Sequence, residues 1–144
     1  ISNPDLVTVS LRFPKSVICL ISALSYYDIT TQIPHQVDVA IRPASRLPSL
    51  KFPPIRAYKF SQEAYEAGIV EYQIDGVSVK IYSPEKTLAD CFKFRNQVGL
   101  DVAIEALKEG WRLDKFSMDE LMACAKVCRV ANVIQPYAES IVHT

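Results

Sequence analysis

Lys86, Asp90 and Lys93 fall at i, i+4 and i+7, the spacing of one face of a helix, and Gln97 extends the line. Such a stripe offers alternating charge to a partner. It is also what a solvated face looks like, with one Lys86–Asp90 pair worth about 0.2–0.5 kcal/mol. Arg95 lies off the stripe, on the side of Leu88, where its stem can snorkel from the core edge; Cys91 and Phe92 join Leu88 in burying the helix. Catalysis needs groups that converge, and here they do not. His35 and His143 are the two histidines; one follows a proline in an expected loop and the other is penultimate. Asp75 and Lys80 raise a degenerate metal-dependent nuclease, yet that site needs two carboxylates and a lysine around a magnesium ion. Asp75 belongs to an Asp-Gly turn, and no carboxylate stands two positions before Lys80. The four glycines are scattered, so no phosphate loop forms, and neither a Gly-x-Ser-x-Gly turn nor a His-Glu-x-x-His helix occurs. The residues point to binding, with no enzyme activity, cofactor or metal implied.

Four cysteines, Cys19, Cys91, Cys124 and Cys128, sit in apolar segments, where free thiols pack as small hydrophobes. Cys124 and Cys128 would share a helix face, but no histidine is near them to complete a zinc site. This usage fits the cytoplasm better than an oxidising compartment. Net charge is zero, yet residues 1 to 60 carry seven basic groups against three acidic ones, and the remainder nine against thirteen. The basic half holds Arg42, Arg46, Lys51, Arg56 and Lys59, which could contact nucleic acid. The apolar run over 17–24 is too short to span a bilayer, so no membrane partner is implied.

The elements that must position these groups begin with a helix expected over about 16–27, apolar nearly all round and therefore buried. Residues 1–8 precede it as ordered or linking sequence. Residues 37–41 alternate apolar and polar and predict a strand. Residues 42–54 contain four prolines and predict a long stiff loop. A second strand over 55–60 leads to a short helical turn capped by Ser61 and ended by Gly68. Residues 69–74 and 77–82 predict a hairpin on Asp75-Gly76. Ser83, Pro84 and Glu85 supply the cap, first-turn proline and acidic residue of the next helix, expected to reach about Gln97 with Gly99 as its break. Further helices follow over 100–109, ended by Gly110, from the capping box at Ser117–Glu120 to about Arg129, and over 131–142 around Pro136. The expectation is one α+β domain over 1–144. A buried N-terminal helix packs on a small, mostly antiparallel sheet of about four strands, followed by a helical C-terminal half.

The block Tyr82-Ser83-Pro84-Glu85-Lys86-Thr87-Leu88-Ala89-Asp90-Cys91-Phe92-Lys93-Phe94-Arg95 resembles the signature segment of the AbiEi antitoxins of abortive-infection toxin–antitoxin systems. Two more stretches join the resemblance: 14–34, with its Asp28-Ile29-Thr30-Thr31-Gln32-Ile33-Pro34 exit, and Gly99-Leu100-Asp101 leading into 103–107. The resemblance implies an antitoxin and transcriptional regulator of viral defence that counters an AbiEii-like nucleotidyltransferase toxin. It implies promoter binding through an N-terminal winged helix-turn-helix. A chain starting at Ile1 would lack that domain and be part of a longer protein. It also marks Ser83, Glu85, Lys86, Asp90, Lys93, Arg95, Thr30 and Thr31 as the partner surface.

Overall fold

The computed structural model describes residues 3–143. Its first helix, α1 (Pro4–Arg12), begins within residues 1–8, which the sequence marks only as ordered or linking. Asn3 accepts the Leu6 amide at 3.3 Å, Pro4 fills the first position and Asp5 stands at the positive end. The helix expected over 16–27 is divided in two: Val17 and Ile18 form a short strand, β1 (Val17–Ile18), and α2 (Leu20–Tyr26) starts only after extended Cys19. An apolar run satisfies either geometry, and here the β-branched pair is taken by the sheet.

The strands β2 (Val37–Ile41) and β3 (Ile55–Lys59), the short helix α3 (Gln62–Glu66), and the hairpin of β4 (Ile69–Ile74) and β5 (Val77–Tyr82) follow as expected. Asp75 and Gly76, both at positive φ (51° and 78°), make the hairpin turn. The domain is α+β, but the sheet has five strands in the order β3-β2-β1-β5-β4, and its pairings alternate parallel and antiparallel. The expected α+β domain with its helical C-terminal half holds, with five strands rather than about four and a mixed sheet. Parallel neighbours need long crossovers, and the proline-rich stretch over 42–54 is the one that carries β2 to β3.

Both faces of the sheet are covered. On one, Leu6 and Val9 of α1 pack on Ile18, Val37, Val39, Ile41, Val79 and Ile81. On the other, Val17, Ala40, Tyr58 and Tyr82 meet the helices. Every residue of β2 is consequently buried, although its alternating pattern alone suggests a half-exposed strand. Tyr27 fastens α2 to the hairpin: its hydroxyl lies 2.8 Å from the Tyr72 hydroxyl and 2.8 Å from the Tyr82 carbonyl oxygen, to which it donates.

The C-terminal half comprises α4 (Pro84–Lys93), α5 (Arg95–Val98), α6 (Leu100–Arg112), α7 (Met118–Val127) and α8 (Ala131–Val142). Gly99, at φ 102°, makes the expected break. Gly110 does not end α6; it lies inside, against the Phe116 ring. Pro136 lies inside α8. At the Ser117 cap the hydroxyl accepts the Glu120 amide, while the Ser117 amide goes to Glu85 Oε2 of α4 at 2.8 Å.

Gly68 and Gly76 share φ 78° but not surroundings. A Cβ on Gly68 would stand 2.6 Å from the Lys86 Cβ, whereas one on Gly76 meets nothing within 4 Å. Gly76→Ala should cost only the left-handed strain, about 1–2 kcal/mol. Gly68→Ala adds overpacking and should cost about 2–5 kcal/mol. Urea denaturation of the two variants measures the difference, and equal losses would contradict this packing.

Candidate functional site around helix α4

Ser83 accepts the Lys86 amide at 3.1 Å and gives its own amide to the Gly68 carbonyl at 2.7 Å, so the start of α4 is anchored to the end of α3. From there α4 packs against α2, α6, α7 and α8. This position explains what the spacing alone could not: Lys86 and Asp90 are buried, at 0% and 1% exposure. The Lys86 Nζ donates to both Asp90 oxygens, at 2.8 and 2.7 Å. It also lies 4.0 Å from the Tyr82 ring centroid and 4.8 Å from that of Phe60. The Cys128 thiol donates to Asp90 Oδ1 at 3.3 Å from the end of α7. Burial pushes the Asp90 carboxyl up to about 6, while Lys86 and Cys128 pull it down. The solvated stripe is thus corrected: its inner half is sealed in the core, and Lys93 and Gln97 reach solvent.

The other residues marked by the resemblance are dispersed. Glu85 is occupied with Ser117. Half-buried Arg95, at the start of α5, donates from Nη1 to the Phe92 carbonyl at 2.9 Å and closes the end of α4. Thr31 donates its amide and hydroxyl to Glu105 of α6, at 3.3 and 3.1 Å, and the Thr30 hydroxyl accepts the Gln32 amide. Ser83, Glu85, Lys86, Asp90, Arg95, Thr30 and Thr31 are all engaged within the fold, and Lys93 is exposed.

The five basic candidates separate as well. Arg42 and Arg46 of the proline-rich loop line a groove of about 300 Å³ together with Arg12 and Lys15, and no carboxylate lines it. The Arg42 guanidinium sits 4.8 Å over the Tyr65 ring, whose hydroxyl donates to the Lys15 carbonyl. Lys51 is exposed elsewhere on the loop. Arg56 lies 5.1 Å over the Tyr58 ring, close enough to Asp38 to lower its pKa. Lys59 joins Lys93 beside a separate cleft. Arg12, Lys15 and Tyr65 were missed by reasoning on the sequence. The Asn3-Pro4-Asp5 start, followed by Leu6 and Val9 three apart, is the signal that places Arg12 at a helix end.

Asp38 of β2 is the second buried carboxylate. It receives the Ile21 and Ser22 amides of α2, whose own cap residue, Cys19, offers no side-chain bond. The Ser22 hydroxyl accepts the Asp38 amide at 2.9 Å, so the two elements are joined twice. Burial pushes the Asp38 carboxyl up to about 6, against the pull of those amides and Arg56. All four cysteines are free, and burial raises each thiol. Among the described residues, no three His, Cys, Asp or Glu side chains gather as a metal site. Of the nuclease pair, Asp75 is exposed in the hairpin turn and Lys80 faces Glu71 across the strands. No helix of the described residues is long and apolar enough to cross a membrane.

Asp90→Ala leaves the Lys86 ammonium buried without its counter-ion and should cost about 3–5 kcal/mol of stability. Lys86→Met with Asp90→Leu removes both charges and should recover most of that loss. A double variant as unstable as Asp90→Ala would show that the pair itself carries the stability. Asp38 and Asp90 should both titrate near pH 6 by carboxyl-carbon NMR, above the ordinary 3.8. Each binds its proton more tightly folded than unfolded. Their contribution to stability is therefore full below about pH 4 and lost as the pH rises through about 6. Midpoints near 4 for both would contradict the burial described.

No family model matches the chain, and no curated protein matches it. Among solved structures it is similar to the RV2827C protein from Mycobacterium tuberculosis, with a TM-score of 0.55 at 13% sequence identity. The match covers 96% of this chain and 58% of that one, so the chain spans somewhat over half its neighbour's length. At this identity the likeness is one of fold alone.

Proposed function

We propose that the chain is the antitoxin and transcriptional-regulator domain of an abortive-infection toxin–antitoxin system, working in the cytoplasm by binding rather than catalysis. In this reading it assists autorepression of its operon, alongside a winged helix-turn-helix, and counters an AbiEii-like nucleotidyltransferase toxin. The observation that carries the regulatory half is the groove of Arg12, Lys15, Arg42 and Arg46, which no carboxylate lines. Two of these cations come from the end of α1 and its exit, and two from a loop stiffened by prolines. A polyanion backbone is the ligand that such a one-signed surface suits, because each phosphate neutralised releases condensed counter-ions.

Fluorescence anisotropy with duplex promoter DNA at several salt concentrations tests this. Four phosphate contacts predict a slope of log K against log salt of about −3.6. Arg46→Ala should flatten it by about one and weaken binding similarly across sequences. Undetectable or salt-insensitive binding would remove the regulatory half. For the antitoxin half, co-expression of the chain with the toxin should restore growth, and Lys93→Glu should impair rescue while melting like the parent. Failure of the parent to rescue would remove the antitoxin half; full rescue by Lys93→Glu would remove Lys93 from the partner surface.

A further inference from the structure

A second cationic recess lies on the side of α4 that faces α3 and the α7–α8 junction. Lys59 at the end of β3, Lys93 at the end of α4 and Arg129 after α7 line a cleft of about 430 Å³. Pockets that hold small ligands fall at about 300–1,000 Å³. The three cations come from sequence positions far apart, and all three are exposed. Two carboxylates line the cleft. Asp90 lies at the floor, already held by Lys86 through both oxygens, which leaves Glu63 to oppose the three cations. The wall is apolar: Phe94 stacks on Phe60 with ring centroids 5.3 Å apart, and Val127 stands alongside.

Arg129 adds a further observation. It sits at φ 60°, the left-handed conformation in which helices commonly end on glycine. The turn bonds that follow, Arg129 N to the Lys126 carbonyl at 3.1 Å and Val130 N to the Ala125 carbonyl at 2.8 Å, need only the backbone. A glycine would meet this geometry without strain, as it would at Asp28 and Asp114, which also stand at positive φ; what sets Arg129 apart is that its side chain lines the cleft. Backbone held in a sparsely populated conformation is a recurrent mark of ligand sites.

We propose that this cleft binds a nucleoside monophosphate. The phosphate is held among Lys59, Lys93 and Arg129, the base lies on the Phe94–Val127 wall, and Glu63 accepts a ribose hydroxyl. Charge-assisted bonds to a phosphate suit the guanidinium and ammonium groups, and a planar base matches an aromatic wall. The site is distinct from the groove of Arg12, Lys15, Arg42 and Arg46, so it stands whether or not that groove binds DNA.

The test is a titration of the purified protein with adenosine monophosphate, guanosine monophosphate, adenosine and inorganic phosphate, followed by amide NMR and calorimetry. Both nucleotides should shift the amides of Lys93, Val127 and Arg129, and at least one should bind more tightly than adenosine or phosphate. Arg129→Gly should weaken that nucleotide about tenfold or more, the loss of one charge-assisted bond. Because this change relieves the backbone, its melting temperature should equal or exceed the parent's. An Arg42→Glu, Arg46→Glu protein should bind the nucleotide as the parent does. The proposal is overturned if neither nucleotide moves those amides at millimolar concentration, or if Arg129→Gly binds unchanged. Equal affinity for inorganic phosphate overturns the base contact, and loss of binding in the Arg42→Glu, Arg46→Glu protein moves the site to the groove.

Discussion

A lysine and a carboxylate four residues apart on a helix contribute little in water. Here the same pair sits at the junction of the sheet, α4 and α7. Taking an ammonium and a carboxylate out of water costs several kcal/mol each after relaxation. This cost is offset only because every polar contact is met: both carboxylate oxygens accept from Nζ, one also accepts the Cys128 thiol, and two aromatic rings flank the ammonium. Each partner comes from a different place, with Phe60 following β3, Tyr82 ending β5, and Cys128 ending α7. The close approach of Lys86 to the chain at Gly68 is part of the same arrangement. Through these partners the pair ties the helical half to the sheet.

That constraint reorganises the functional reading. The segment that resembles the antitoxin signature is mainly the spine of the domain: its cap, its buried pair and its closing arginine all serve the fold. What it leaves to a partner is Lys93 at its end. The two cationic recesses draw the rest of their charge from outside that segment, from the end of α1, the proline-rich loop, the end of β3 and the α7–α8 junction.

Much of this architecture was legible in the sequence because it is local. The Asp75-Gly76 turn, the Ser83-Pro84-Glu85 start and the Gly99 break are decided within a few residues, and each stands where its chemistry places it. What was illegible is decided by distant contacts. Val17 and Ile18 could extend a helix until β2 and β5 are seen to need a strand between them. Likewise, nothing in the spacing of Lys86 and Asp90 reports that α4 is covered by four other helices. Helix α1 is a different case: Asn3, Pro4 and Asp5 are local start signals, in a stretch whose expectation was only ordered or linking sequence.

The two cationic recesses follow the same division. Neither is a run of basic residues, and each gathers its charges from separated segments that only the folded sheet brings together. Their geometry consequently depends on the core beneath. Asp90 makes the dependence direct, since it belongs to the buried pair and forms the floor of the cleft. A change at Lys86 or Asp90 that abolishes a binding activity is thus ambiguous, because it loosens the seat of α4 at the same time. Exposed Lys93 and Arg129 are free of that ambiguity, and Arg129 most of all, since glycine there satisfies the backbone better than the residue it replaces.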